Sequence, residues 1–207
     1  VCCAACGFKS SLPMGCAGSK QVEVREEEAT AVSGAQVPQP PVESSAPARN
    51  GPVTFSRAHA DITIAEGGAE ATMTGWDGGA AASAEVMSEG KHFVEFTVLK
   101  GEYLYLGAMA AGWDVEGGKD VEQSPDGGCF FSTNGGKCYP SGEDWEGSQP
   151  AKEEGDRVGM LLDLDDRCIS VYKNGERLGT MEPKLPIGAE YCWALSFHTK
   201  GDSVRVE

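Results

Sequence analysis

The sequence predicts an antiparallel β-sandwich preceded by a disordered tail, and three observations carry that expectation. From Thr54 to Glu207 short apolar runs recur, each about the length of a strand. Clusters of Gly, Pro, Asp and Asn separate the runs. No window repeats its apolar residues at helical spacing.

Residues 1–53 are the expected tail. Glu26-Glu27-Glu28 is a charge run, Val37-Pro38-Gln39-Pro40-Pro41-Val42 and Ala46-Pro47 are rich in proline, and no aromatic residue occurs from Lys9 through Val53. Such a segment cannot bury enough apolar surface to offset its ordering entropy, so a solvated, polyproline-like spacer is expected. Its PxxP-like stretch also fits the pattern of an SH3 ligand.

The texture changes at Thr54. The strongest strand is Lys91–Leu99, where alternation puts Val94, Phe96 and Val98 on one face and Phe93, Glu95 and Thr97 on the other. Further strands are expected at Tyr103–Met109, Cys129–Ser132, Val158–Leu164, Cys168–Tyr172, Tyr191–Phe197 and Ser203–Val206. Val158–Leu164 is apolar on both faces and belongs inside a sheet. Asp165-Asp166 punctuates the hairpin that follows it, and Asn174-Gly175 suits the next turn because both types accept positive φ.

Composition narrows the function classes. Hydrophobic residues make up 40% of the 207, and no apolar run approaches the length needed to span a bilayer. Val1–Gly18 lacks the basic and apolar regions of a signal peptide, so a cytoplasmic chain is expected. The formal net charge is −15, and residues 53–207 hold 13 Lys/Arg against 27 Asp/Glu. That acidic body disfavours nucleic acid and is compatible with a basic protein partner. The eight cysteines fall into two groups, with Cys2, Cys3, Cys6 and Cys16 in the tail. Cys129, Cys138, Cys168 and Cys192 sit in or beside apolar runs, where a reduced thiol behaves as a small hydrophobe. Cys3-Ala4-Ala5-Cys6 is half of a zinc site with no second half, so no metal or cofactor is expected.

One stretch is specific. Gly155-Asp156 opens an apolar strand that ends Leu162-Asp163-Leu164-Asp165, and a second strand, Ile169-Ser170-Val171, ends Tyr172-Lys173-Asn174-Gly175. Upstream lie Gly90-Lys91-His92-Phe93-Val94-Glu95-Phe96, Tyr105-Leu106-Gly107-Ala108-Met109 and Asn134-Gly135-Gly136-Lys137; downstream lie Tyr191–Phe197 and Val204-Arg205-Val206. In content and order these motifs resemble the SPRY domain family, over about residues 54–207. The resemblance implies a concanavalin-like two-sheet sandwich that binds proteins or peptides and catalyses nothing, as an adaptor would. It also implies a ligand surface made by loops at one end, here Gly75–Ala80, Ala110–Asp126 and His198–Gly201. The family's peptide contacts do not match residue for residue, so its ligands are not carried over.

Within those loops the candidates are Trp76, Asp77, Trp113, Asp114 and Lys200. Trp76, Trp113 and Trp145 sit among Gly and acidic residues, where a tryptophan is either a plug over the core or a binding anchor. Trp193, inside an apolar strand, is expected in the core. Asp77 and Asp114 would favour a basic ligand.

A catalytic alternative rests on Asp163 and Asp165. An apolar strand ending Asp-x-Asp resembles the phosphoryl-transfer site of haloacid-dehalogenase-like enzymes, where one carboxylate is the nucleophile and the other the acid/base. Those enzymes continue with Thr or Val where Arg167 stands, and they need helices and a parallel sheet. Turn carboxylates that accept local N–H groups are the preferred reading. Gly136-Lys137-Cys138 lacks the rest of a P-loop, and His59, His92 and His198 have no metal-ligand spacing.

The tail carries one further motif. Met14-Gly15-Cys16-Ala17-Gly18-Ser19-Lys20 fits an N-myristoylation acceptor, with a palmitoylatable cysteine beside the glycine. If Met14 is the initiator, myristate on Gly15 and palmitate on Cys16 would hold the protein on the cytoplasmic face of a membrane.

Overall fold

The computed structural model describes residues 46–48, 51–101, 103–118, 121, 128–138 and 145–207. The lipidation motif at Gly15 and Cys16 and the tail cysteines lie outside them. Among the described residues there are two sheets and a short 3-10 turn at Glu66–Gly68. The six-stranded sheet runs, in spatial order, β1 (Phe55–Ala58), β4 (Gly79–Ser83), β12 (Tyr191–Phe197), β6 (Leu104–Ala110), β7 (Cys129–Ser132), β8 (Lys137–Cys138). The seven-stranded sheet runs β11 (Glu176–Glu182), β10 (Cys168–Lys173), β9 (Arg157–Asp163), β5 (Lys91–Lys100), β13 (Ser203–Val206), β3 (Glu70–Met73), β2 (Ile62–Ala65). All strand pairs are antiparallel.

The main core lies between the sheets. Val94, Phe96 and Val98 of β5 enter it as their alternation requires, and so do Val158, Met160 and Leu162 of β9 and Trp193 and Leu195 of β12. On the outer face of β5, Glu95 is paired with Arg157, while Phe93 meets Tyr172 edge-on with ring centroids 5.7 Å apart. Turn chemistry sets the register of the β9–β10–β11 meander. Asn174 and Gly175 have φ of 52° and 87°, the left-handed pair that matches the twist of a two-residue hairpin.

A second apolar layer covers the outside of the six-stranded sheet. Ala80, Ala82, Met109, Phe130, Cys192 and Ala194 face Val115 and Val121, with half-buried Trp113 packed against them. β4 reads Gly-Ala-Ala-Ala-Ser and is buried on both faces, so its small side chains let both layers close on one strand. Arg57 ties the covering segment down. Its guanidinium donates to the carbonyls of Ala111 (3.3 Å), Trp113 (3.4 Å) and Ser83 (3.4 Å) and to Cys192 Sγ (3.1 Å). Burial pushes the Cys192 thiol up, and the neighbouring Arg57 charge offsets this only in part. Cys129 and Cys192 are buried, and Cys168 is half-buried.

No helix among the described residues is long and apolar enough to cross a membrane.

Candidate functional site

Three links that carry the chain from one sheet to the other meet at one end of the sandwich. One joins β3 to β4 and holds Trp76, a second joins β5 to β6 through Gly101 and Tyr103, and the third joins β12 to β13 through His198–Asp202. The segment ahead of β9 adds Lys152 and Glu154. The second and third links and that segment border an open cavity of about 550 Å3, lined by Lys100, Tyr103, Lys152, Glu154, Lys200 and Asp202 among others, and Trp76 of the first link reaches its edge through Lys200. That volume is within the usual range for a ligand pocket.

Aromatic rings frame the site. Tyr103 and Tyr105 share a hydrogen bond of 2.6 Å between their hydroxyls. The His198 ring lies against both, at centroid distances of 5.2 and 5.0 Å, and its Nε2 is buried without a hydrogen-bond partner. Lys200 Nζ sits 4.9 Å from the Trp76 ring centre, a cation–π contact. Trp76 is 77% exposed, so the lysine and not burial holds the ring.

Asp202 is turned inward. Its carboxylate accepts the Thr199 N–H (3.2 Å) and its carbonyl accepts the Met73 N–H (2.8 Å), so it closes the third link and ties it to β3. Burial raises its pKa, and the Thr199 N–H and the His198 and Lys100 charges offset only part of that. Gly101, at φ 130°, makes room for this carboxyl: a Cβ there would lie 2.9 Å from Asp202 Cγ.

The sequence candidates are thus divided. Trp76 and Lys200 are in contact, and Asp77 is exposed beside them. Trp113 lies elsewhere: its carbonyl shares Arg57 with Cys192, six residues and about 20 Å along the strand from His198. Asp114 caps its own turn, with Oδ1 accepting the Gly117 N–H at 3.0 Å. Trp145 donates to the Gly135 carbonyl at 2.9 Å and packs against the main core, and Trp193 is fully in it. Sequence reasoning missed Lys100, Tyr103 and Lys152. Tyr103 was assigned to a strand, and only the pairing of the links shows that these residues share one end.

Asp163 and Asp165 sit far from this description of a catalytic pair. Asp163 Oδ1 accepts the Asp166 N–H (3.0 Å) and its Oδ2 meets Lys91 Nζ at 2.6 Å. Asp165 Oδ1 accepts the Gly90 N–H (3.2 Å). These are the bonds of a strand-end turn, and among the described residues every strand pair is antiparallel, not the parallel arrangement of the phosphoryl-transfer enzymes. No group of three or more metal-ligating side chains occurs among the described residues.

The SPRY domain model matches residues 91–207, more than half of the chain. The chain belongs to the SPRY family. β1 to β4 precede the matched residues and complete both sheets, β4 pairing with β12 and β3 with β13. Among solved structures, the SPRY domain of human HERC1 superposes with a TM-score of 0.57 at 19% identity, over 73% of this chain and 96% of that one. The TRIM65 PSpry domain gives 0.57 at 16% identity, over 75% and 89%. A further human SPRY domain gives 0.55 at 18%, over 73% and 97%. At these identities the likeness establishes the fold alone. No curated protein matches by sequence. SPRY domains are in general protein-interaction modules.

Proposed function

We propose that this SPRY chain is a non-catalytic adaptor that seats a protein or peptide at the crossover end, with Trp76, Tyr103 and Lys200 as its anchors. One observation carries the reading: an indole ring is kept in water by a single cation contact, beside an open cavity with a half-exposed tyrosine. Exposed aromatics of this kind are the usual hot spots of interfaces, because docking removes both ring and neighbours from water. Asp163 supports the non-catalytic part, since its two oxygens are engaged by the Asp166 N–H and by Lys91, and Asp165 Oδ1 accepts the Gly90 N–H of the same strand end.

The test is a library of short randomised peptides displayed on phage and panned against the chain. Enriched peptides should lose binding to Trp76→Ala and Tyr103→Ala variants whose melting temperatures are unchanged. Trp113→Ala should instead lower stability, by about 2 kcal/mol for a half-buried ring. Binding indifferent to both Trp76 and Tyr103 rejects the site.

Membrane attachment is the finer part of the proposal. Its support is the Gly15-Cys16 motif read as a dual acylation site.

A further inference from the structure

Charge at the site runs against charge on the chain. The chain carries a net −15, and five of its described cations are engaged by its own carboxylates. Lys91 bridges Asp163, Lys137 bridges Glu182, Lys173 bridges Asp156, Arg157 bridges Glu95 and Arg205 bridges Glu70. Lys100, Lys152 and Lys200 bridge none among the described residues, and all three line the one cavity at the crossover end. Two carboxylates share that lining. Asp202 is buried and committed to the Thr199 N–H, which leaves exposed Glu154 as the only one facing water. Like charges held together at an open surface repel one another, and a bound anion relieves the repulsion.

We propose that the crossover-end cavity selects an acidic peptide, whose carboxylates meet Lys100, Lys152 and Lys200 while an adjoining apolar side chain covers Trp76 and Tyr103. The proposal rests on the peptide-binding reading above. It replaces the basic ligand suggested by Asp77 and Asp114, because Asp114 is engaged by Gly117 and the cavity lining sets three lysines against one exposed carboxylate, Glu154. The acidic surface beyond the cavity then acts as a filter. A short acidic segment that reaches the three ammonium groups is accepted, whereas a broad anionic surface is repelled by the rest of the domain. This contrast favours a peptide over an anionic membrane as the source of the carboxylate or phosphate oxygens.

The experiment uses the panned library and the whole 207-residue chain. Enriched sequences should carry net negative charge, and their synthetic peptides should bind more weakly as salt rises from about 50 to about 300 mM. Lys100→Gln, Lys152→Gln and Lys200→Gln should each weaken a given peptide about threefold, and the triple variant more than tenfold. Lys184→Gln, away from the cavity lining, should change nothing. Enriched peptides that are neutral or basic, yet still depend on Trp76 and Tyr103, overturn the acidic specificity and leave the binding module standing. Enrichment of no peptide, or of peptides indifferent to those two rings, overturns both. Phosphatidylserine vesicles, tested in parallel, should not bind a chain lacking residues of the acylation motif. Vesicle binding that the triple variant loses would assign the lysines to a membrane and overturn the proposal.

Discussion

At the scale of single residues, Asp163 shows how a carboxylate becomes structural. Burial alone would raise its pKa, but the Lys91 hydrogen bond, the Asp166 N–H and the Lys91 charge together outweigh burial and hold it below the ordinary value. A carboxyl depressed in the folded state stabilises the fold above its unfolded pKa of about 4 and loses that contribution as pH falls toward the folded value. Acid titration of stability should therefore show a component below about pH 4 that Asp163→Ala removes. At neutral pH that substitution should cost about 1–2 kcal/mol, and Asp165→Ala, which gives up one exposed bond, about 1 kcal/mol or less. Chemical denaturation of both variants checks the ordering. A metal-dependent phosphatase activity that both variants lose would revive the catalytic alternative.

Among the elements, the segment after β6 depends on Arg57. Four acceptors converge on one guanidinium, and no other described side chain bonds the carbonyls of Ala111 and Trp113 to β1. Lysine has no planar fork and cannot serve all of them. Arg57→Lys and Arg57→Ala should both loosen the cover over Cys192, so that limited proteolysis near residues 111–118 speeds up and Cys192 gains reactivity toward thiol reagents. Unchanged cleavage and labelling would mean that the apolar contacts of Val115 and Val121 suffice.

The same elements show what the sequence could disclose. β5, β9, β10, β12 and β13 were legible because Val, Ile, Leu and Phe alternate or cluster there, and Asn174-Gly175 marked its hairpin. β4 was not legible, since an alanine run has little strand preference and is buried by tertiary closeness alone. β1, β2 and β3 are only four residues each, and β11 reads as polar because it is an edge strand. Trp76 and Lys200 were legible as loop residues beside glycine. Lys100 and Lys152 were not, because a site made by links distant in sequence leaves no local pattern.

On the whole molecule, charge decides how the proposed anchoring must work. One myristoyl chain gives marginal, reversible attachment, and a second signal is needed. A basic patch would contribute about 1 kcal/mol per Lys or Arg, but Glu23 and Glu26-Glu27-Glu28 oppose Lys20 and Arg25, and the body is acidic. On the proposed anchoring, an acyl chain on Cys16 would be the second signal. A chain started at Met14 should be membrane-bound in cells and insensitive to high salt. Gly15→Ala should release it fully, and Cys16→Ser should leave most of it in the soluble fraction. No myristate incorporation, or a soluble parent chain, rejects the anchor.

The crossover links have one more consequence. Each link that borders the cavity begins in one sheet and ends in the other, β5 to β6 and β12 to β13 alike. A ligand that bridges two of them works as a clasp on both halves of the sandwich, so opening the halves requires letting the ligand go. Occupancy would be felt as mechanical resistance between the sheets, in a direction where backbone hydrogen bonds within each sheet contribute nothing.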